Sequence, residues 1–249
     1  MRMRDAIRTV FRREFASYFT SPLALIFVVI FLVLSGVFTF YVGQFFERGQ
    51  ADLHAFFMYH PWLYLFLLPA LSMRLWSEER KSGTIELLLT LPLPLEAVVI
   101  GKYLAALAVA GLALVLTFPI WITVNVLGSP DNGMVLAGYF GSFLLAASYL
   151  AIGSAISATT RNQVIAFVVA VVVCFFFTVA GLPMVLDAFD GWLNPMWVSV
   201  IASFSFLTHY SSIMQGVIDI RDLAYFGSLI IFWLFVNVVL VDATREADG

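Results

Sequence analysis

Long apolar segments, several of them long enough to cross a membrane, separate the few charged side chains of this chain. Hydrophobic residues make up 62% of its 249 residues and charged residues only 12%, whereas ordinary soluble domains are about 25% charged. A charged side chain at the bilayer centre costs about 2.5–3.5 kcal/mol on insertion scales, so the charged clusters are expected outside the hydrocarbon. The pattern predicts an all-α membrane protein, with a single transmembrane domain over residues 1–249.

Six apolar segments are expected to cross the membrane as helices, because about 20 apolar residues span the hydrocarbon. Pro69 and Pro119 are expected to bend the second and third of these spans. The fourth is rich in Gly, Ala and Ser, and small residues let helices approach closely, so it is expected at a packed interface. The predicted spans are residues 23–42, 56–75, 97–127, 135–158, 164–186 and 223–241.

Residues 3–20, before the first span, have the pattern of an amphipathic helix. Apolar residues recur at steps of three and four, and Arg4, Arg8 and Arg12 form a stripe on another face. Such a helix is expected to lie in the membrane interface, with its apolar side toward the lipid and its arginines toward anionic headgroups. The alternative is a short cytoplasmic helix that packs on the protein itself.

Residues 187–222, between the fifth and sixth spans, are mostly apolar and aromatic, including Trp192, Trp197, Phe204 and Phe206. The central run, residues 196–207, is too short to cross a membrane. We therefore expect a re-entrant or surface-lying pair of helices, on the extracytoplasmic side.

The Lys and Arg residues are distributed unevenly between the two predicted faces. Eleven of the 13 lie on the side of the termini and of the segment between the second and third spans, and only Arg48 and Arg221 lie on the other. By the positive-inside rule, both termini are expected in the cytoplasm.

The densest charge in the sequence lies in residues 74–102, between the second and third spans. Gly83 is expected to end one helix, and Thr84 to cap a second, apolar helix over residues 85–91 that Pro92 and Pro94 stop. Glu86 suits the positive N-terminal end of that helix. From physics alone, such a helix could enter a groove on a soluble partner or lie as part of a hairpin on lipid headgroups.

This segment resembles the region between the second and third spans of ABC-2 type transporter permeases. The resemblance is carried by the acidic and basic cluster at 78–81, by Gly-Thr-Ile-Glu-Leu-Leu at 83–88, by Pro92 and by Gly101-Lys102. Within that family the chain is most similar to the gliding-motility-type permeases, through REFASYFTSPLALIF, SATTRNQVIAFVVAVVVCFFF and HYSSIMQGVIDIRDLAYF.

The resemblance implies that residues 76–92 are a coupling segment that docks on a separate ATPase subunit, which would bind ATP and Mg²⁺. It further implies a homodimer, an extracytoplasmic accessory subunit and an N-terminal helix that also touches the ATPase. Lys102 matches a lysine at the start of the family's next span. The residues expected to couple to the ATPase are Glu78, Glu79, Arg80, Lys81, Gly83, Thr84, Glu86, Leu88 and Pro92.

Other functions are less compatible with the sequence. The chain has no G-x-x-x-x-G-K-[ST] phosphate loop, so it is not expected to be an enzyme that hydrolyses ATP by itself. Ionisable residues are nearly absent from the middle of the spans, which disfavours an ion-coupled transporter. His54 and His60 are six residues apart in the sequence, a spacing that disfavours a haem or metal site. The sequence also has no basic patch of the kind that binds nucleic acid. Asn237, inside the last span, is expected to bond a neighbouring helix rather than a substrate.

Two functions therefore stay open from the sequence. The first is the permease subunit of an ATP-driven exporter, and no residue can be assigned to its substrate. The second is a membrane scaffold that transmits an ATP-driven conformational change to an extracytoplasmic partner without transporting a solute.

Overall fold

The computed structural model describes residues 2–89, 93–189 and 194–247, with the side chains at 87–89, 189, 195 and 244–247 also left outside the description. Pro92 and Trp192 therefore lie outside the described residues, and so does the side chain of Leu88. The described ranges fold into helices joined by short turns: α1 Met3–Thr20, α2 Leu23–Val37 with a π-helical turn Phe38–Val42, α3 His54–Met58, α4 His60–Ser72, α5 Arg74–Ser82, α6 Thr84–Leu89, α7 Leu95–Val115, α8 Phe118–Leu127, α9 Asn132–Ser157, α10 Gln163–Val179, α11 Pro183–Phe189, α12 Pro195–Ser203, α13 Phe206–Met214 and α14 Ile220–Ala247.

Four helical stretches among the described residues are long and apolar enough to cross a membrane: Leu23–Val42, Leu95–Leu127, Asn132–Ser157 and Ile220–Ala243. They correspond to the first, third, fourth and sixth predicted spans, and the all-helical membrane fold is confirmed. The second and fifth predicted spans correspond to shorter helices, α4 with 13 residues and α10 with 17. The count of six spans therefore stays a prediction.

The second predicted span is divided at Met73, between α4 and α5. The hydroxyl of Ser157, at the end of α9, donates to the Met73 carbonyl at 2.7 Å and accepts from the backbone N–H groups of Trp76 and Ser77 at 3.1 and 3.2 Å. A hydroxyl from another helix thus satisfies backbone groups at the start of α5. The residues of the second predicted span are therefore divided among α3, α4 and the start of α5, and its crossing of the membrane stays a prediction.

The third predicted span is interrupted where its proline predicts. α7 ends at Val115, and α8 begins at Phe118, so that Pro119 lies in its first turn, where a missing N–H costs little. The hydroxyl of Thr117 donates to the Leu114 carbonyl at 2.6 Å across the interruption.

The small residues of α9 place it at the centre of the bundle. A Cβ added at Gly153 would lie 2.0 Å from the hydroxyl of Ser72, and one at Gly138 would lie 2.5 Å from the ring of Phe57. The predicted packed interface is confirmed, but it lies inside one chain. The small-residue face of α9 therefore gives no support for a dimer interface.

Polar groups within the bundle bond neighbouring helices. The amide of Asn237 on α14 is fully buried and donates to the hydroxyl of Ser154 on α9 at 2.6 Å, which confirms helix–helix bonding for this residue. On the other half of α9, the hydroxyl of Ser142 lies 2.7 Å from His60 Nδ1 and 2.7 Å from the Tyr64 hydroxyl.

The described part of the segment between the fifth and sixth predicted spans contains the end of α11 and helices α12 and α13. α13 lies along α9, with Phe206 stacked on Tyr149 at 4.9 Å between ring centroids and Gly216 beside Met134. Trp197 and Phe204 are exposed. The re-entrant interpretation of this segment stays a prediction.

Helix α1 packs on α7 rather than presenting its whole apolar face to lipid. Ala6, Val10 and Tyr18 are buried, and a Cβ added at Gly101 of α7 would lie 2.8 Å from Val10 Cβ. The prediction that the apolar side of this helix faces lipid is therefore wrong for these buried residues, which pack on the protein itself. The stripe of Arg4, Arg8 and Arg12 is exposed as expected.

Candidate functional site

The predicted coupling segment consists of two helices that meet at a glycine. α5 ends at Ser82, and Gly83 follows with φ of 73°, a left-handed conformation that glycine adopts without a steric penalty. Thr84 is the first residue of α6, and its hydroxyl lies 2.8 Å from that of Ser82. The predicted helix break at Gly83 is confirmed. The predicted second helix is observed over Thr84–Leu89, and its expected end at 90–92 lies outside the described residues.

One face of α5 is fastened to the helix bundle. Leu75, Trp76 and Ser77 are buried, and Ser157 binds the first turn as described above. The guanidinium of Arg80 donates to the carbonyl of Ala158, just after the end of α9. Arg80, which the sequence assigns to ATPase contact, therefore anchors α5 within its own chain.

Lys102, near the start of α7, is the centre of an ionic cluster. Its side chain is only 2% exposed, and its ammonium lies 2.8 Å from Glu79 Oε1 on α5 and 3.3 Å from Glu14 Oε1 on α1. The ammonium also donates to the Leu75 carbonyl at 3.1 Å and lies 5.2 Å from the ring centroid of Trp76. A buried ammonium is tolerated when it is paired and hydrogen-bonded in this way, so Lys102 ties α1, α5 and α7 together.

Arg13 extends the cluster on α1. Its guanidinium donates to Glu14 Oε1 at 2.6 Å and lies 3.7 Å from Glu79 Oε1. Burial by itself raises the pKa of Glu14, but Lys102 and the hydrogen bond from Arg13 outweigh it, so the pKa lies below its ordinary value. The Glu14 carboxylate is therefore ionised at neutral pH.

A second ion pair lies on the exposed side of α5. Arg74 donates through two nitrogens to the two carboxylate oxygens of Glu78, at 2.7 and 2.8 Å. That hydrogen bonding lowers the pKa of Glu78. An exposed pair four residues apart contributes only about 0.2–0.5 kcal/mol to helix stability. The Glu78 carboxylate can therefore leave Arg74 at little cost and contact a partner instead.

The ionic cluster borders a cavity of about 450 Å³ between α1, α5 and α7. Three basic and three acidic side chains line it, so its wall is ionised but close to neutral overall. The lining residues are Arg13, Glu14, Ser17, Tyr18, Thr20, Ser21, Leu23, Arg74, Leu75, Glu78, Glu79 and Lys102.

The tip between α5 and α6 divides the predicted coupling residues into two groups. Lys81, Gly83, Thr84 and Glu86 are exposed, whereas Ile85 is buried against the protein's own core. The expectation that the whole apolar helix from Ile85 onward faces a partner is therefore wrong for Ile85. Glu79 is likewise engaged inside the chain, by Lys102, rather than placed as a free rim carboxylate.

Sequence reasoning missed Glu14 and Ser157 as parts of this site. Glu14 had a signal, because it is one of two acidic residues in an arginine-rich helix and follows Arg13 directly. Ser157 had none, since it is one of several serines in an apolar helix.

Comparison with known families finds a matching family model. The family model described as ABC-2 family transporter protein matches residues 8–244. No curated protein matches the chain. Permeases of the ABC-2 family generally work with an ABC ATPase. Because the match covers almost the whole sequence, the chain belongs to the ABC-2 family of transporter proteins and is a membrane-spanning permease component of an ABC transporter.

Proposed function

We propose that this chain is the permease subunit of an ATP-driven exporter, and that a separate ATPase binds it at the tip between α5 and α6. The observation that carries the proposal is the contrast within the coupling segment. Residues of the tip are exposed, whereas α5 behind them is fixed to α1, α7 and α9 through Lys102, Arg80 and Ser157. A force applied at the tip would therefore reach several helices at once.

The route of that force follows from the contacts. Only Gly83 separates α6 from α5, so a displaced α6 moves α5 with it. Glu79 transmits the displacement to Lys102 on α7 and, through it, to Glu14 on α1. Removing one partner of a buried ion pair typically costs about 3–5 kcal/mol, so the cluster favours joint movement over separation. The ATP and Mg²⁺ that drive the movement belong to the partner ATPase, and catalysis is assigned to that chain.

The chemistry of the tip indicates what the partner surface offers. Glu78 and Glu86 are exposed carboxylates beside the exposed Lys81, which fits a rim of mixed charge with basic residues opposite the two glutamates. Leu88, from its place in the sequence, is proposed as the apolar anchor that fills a groove on the ATPase, and Pro92 as the end of the helix that carries it. Central apolar anchors carry most of the binding energy in such interfaces, while rim charges contribute little.

Leu88→Asp should abolish binding of the ATPase while the permease is still inserted in the membrane. A charge in an apolar groove is left unpaired, and loss of a central anchor costs above about 2 kcal/mol, or roughly 30-fold in affinity. The measurement is co-purification of the ATPase from cells and ATP turnover of the reconstituted complex.

Val217→Asp is the matched control, because Val217 is an exposed apolar residue between α13 and α14, in the predicted extracytoplasmic segment. It should leave the bound ATPase unchanged. Normal co-purification and turnover in Leu88→Asp, at normal expression, would show that α6 is not the coupling element.

The orientation and assembly are proposed together. Eleven of the 13 Lys and Arg residues fall on the predicted inner side, which supports an inner-membrane protein with both termini in the cytoplasm. A homodimer with two ATPase subunits, and an extracytoplasmic accessory subunit of the gliding-motility type, rest on the sequence resemblance.

A second candidate function is the scaffold that transmits movement without transporting a solute. It is favoured by the closed aromatic packing around Phe206, whose ring centroid lies 4.9 Å from that of Tyr149, 5.6 Å from Phe177 and 6.3 Å from Phe226. Such packing between α9, α10, α13 and α14 suits force transmission better than a wide hydrophilic pore. An extracytoplasmic protein that co-purifies and is required for ATP turnover would favour the scaffold over the exporter.

A further inference from the structure

His209, on α13, lies between two hydrogen-bond acceptors. Its Nδ1 is 2.7 Å from Asp222 Oδ1 at the start of α14, and its Nε2 is 3.0 Å from the carbonyl oxygen of Ser203 at the end of α12. The imidazole therefore joins three helices that follow one another in the chain.

The protonation state follows from the two partners. A neutral imidazole carries one N–H, and its other nitrogen is an acceptor. Two hydrogen bonds to a carboxylate and a carbonyl therefore require two protons on the His209–Asp222 pair. The imidazolium–carboxylate form is the favoured distribution, because Asp222 lies in the first turn of α14, where a negative charge is stabilised.

The corner between α12 and α13 is held at three successive residues. His209 binds the Ser203 carbonyl, the Tyr225 hydroxyl donates to the Phe204 carbonyl at 2.6 Å, and the Ser205 hydroxyl donates to the Thr178 carbonyl at 3.2 Å. Of these three contacts, the one made by His209 depends on whether an imidazole nitrogen carries a proton.

The surroundings of His209 contain few other groups that could change its charge. Asp222 is its ionic partner, and the ring of Tyr225 stacks on the imidazole at 4.0 Å between centroids. α12 carries no titratable side chain in its sequence, and α10 carries only Cys174. The remaining titratable groups in the sequences of these elements are Tyr210 on α13, Arg221, Asp242, Arg245 and Glu246 on α14, and Tyr139 and Tyr149 on α9, with Asp219 and Asp131 just before α14 and α9.

We propose that His209 and Asp222 form a proton-dependent clasp that holds the end of α12 against α14. When the pair loses its second proton to water, the Nδ1–H stays with the Asp222 carboxylate and the Nε2 lone pair faces the lone pairs of the Ser203 carbonyl. The contact that was a hydrogen bond becomes repulsive, and the end of α12 is released. Rising pH therefore loosens this corner, which lies in the predicted extracytoplasmic segment.

Nitrogen NMR on the full-length protein tests the protonation state directly. The protein is labelled with ¹⁵N-histidine in detergent micelles, and the His209 signals are identified as those lost in His209→Asn. At about pH 5, well below the ordinary histidine pKa, both ring nitrogens of His209 should give the protonated signature. A signal from a neutral tautomer at that pH would overturn the proposal.

Spin-label mobility tests the clasp itself. The label is placed at Ser199, an exposed residue of α12, as Ser199→Cys in a Cys174→Ser background. Label mobility should rise through a single transition as pH increases, and this transition should be lost in His209→Asn, whose amide does not titrate. A parent protein without the transition, or a transition that persists in His209→Asn, would contradict the clasp. Asp222→Asn keeps the histidine but removes its carboxylate, and should move the transition to lower pH.

Discussion

Lys102 carries a positive charge at a position that is almost completely buried. Lys102→Met should leave the Glu14 and Glu79 carboxylates without their ammonium partner, at a cost of about 3–5 kcal/mol. The measurement is the thermal unfolding temperature of the permease in one detergent. Lys81→Met removes an exposed lysine of α5 and should change that temperature little. Equal effects of the two substitutions would show that burial and pairing of Lys102 do not matter.

The lowered pKa of Glu14 predicts how stability depends on pH. A carboxyl group whose pKa is lower in the folded than in the unfolded protein contributes stability above its ordinary pKa, and that contribution is lost as pH falls through the folded value. Stability should therefore fall on acidification, and Glu14→Gln should make the fall shallower. Unfolding temperatures between about pH 3 and pH 7, around the ordinary glutamate pKa, measure this. Glu86→Gln, at an exposed carboxylate, should leave the slope as in the parent.

Some residues of the site could be predicted from the sequence and others could not. The helix break at Gly83 has a local cause, since glycine ends helices in a left-handed conformation, and it was predicted. The partnership of Lys102 with Glu79 and Glu14 joins three helices distant in sequence. Nothing in one sequence specifies such a pairing, so Glu79 was predicted as a contact to the ATPase instead.

Gly101 sets the distance between α1 and α7. A Cβ there would lie 2.8 Å from Val10 Cβ and 3.2 Å from the Ile7 carbonyl oxygen, so Gly101→Val should push α1 away. Forcing extra atoms into such a contact typically costs about 1–3 kcal/mol. The exposed arginines of α1 then provide the readout, because trypsin should cleave the displaced helix faster.

Gly36→Val is the matched control for this experiment. Gly36 also lies in a helix, and among the described residues no heavy atom beyond its chain neighbours and its own helix backbone lies within 4 Å of a Cβ built there. This substitution should leave the rate of tryptic cleavage unchanged. Cleavage of Gly101→Val at the parental rate would mean that the contact between α1 and α7 does not hold the helix.

The helices themselves were predicted with uneven success, for a physical reason. Long apolar segments such as Asn132–Ser157 satisfy their own backbone and are recognisable from composition and length. The division at Met73 depends on the hydroxyl of Ser157, 84 residues away. Because the hydroxyl that binds at this division lies on another helix, the sequence around Met73 carries no pattern that marks it. The sequence therefore predicts that the second span continues to Leu75.

The orientation of the entire permease can be tested by cysteine labelling. In a Cys174→Ser background, Ser82→Cys lies on the predicted cytoplasmic side and Ser129→Cys on the predicted outer side, and both positions are exposed. A membrane-impermeant thiol reagent added to intact cells with a permeable outer membrane should label position 129 and spare position 82. The reverse pattern would overturn the orientation that the distribution of Lys and Arg predicts.

The contact between α1 and α7 also has a consequence for synthesis of the chain. α1 is complete at residue 20, but α7, on which it packs, is complete only at residue 115. At about 5–20 residues per second, the ribosome needs roughly 5–20 s to make the intervening chain. During that interval Val10 has no α7 surface to cover it, and the nearest apolar phase is the bilayer. The amphipathic pattern of residues 3–20 therefore suits the nascent chain. The helix can lie on the lipid surface until the third predicted span has been made and α1 can pack on α7.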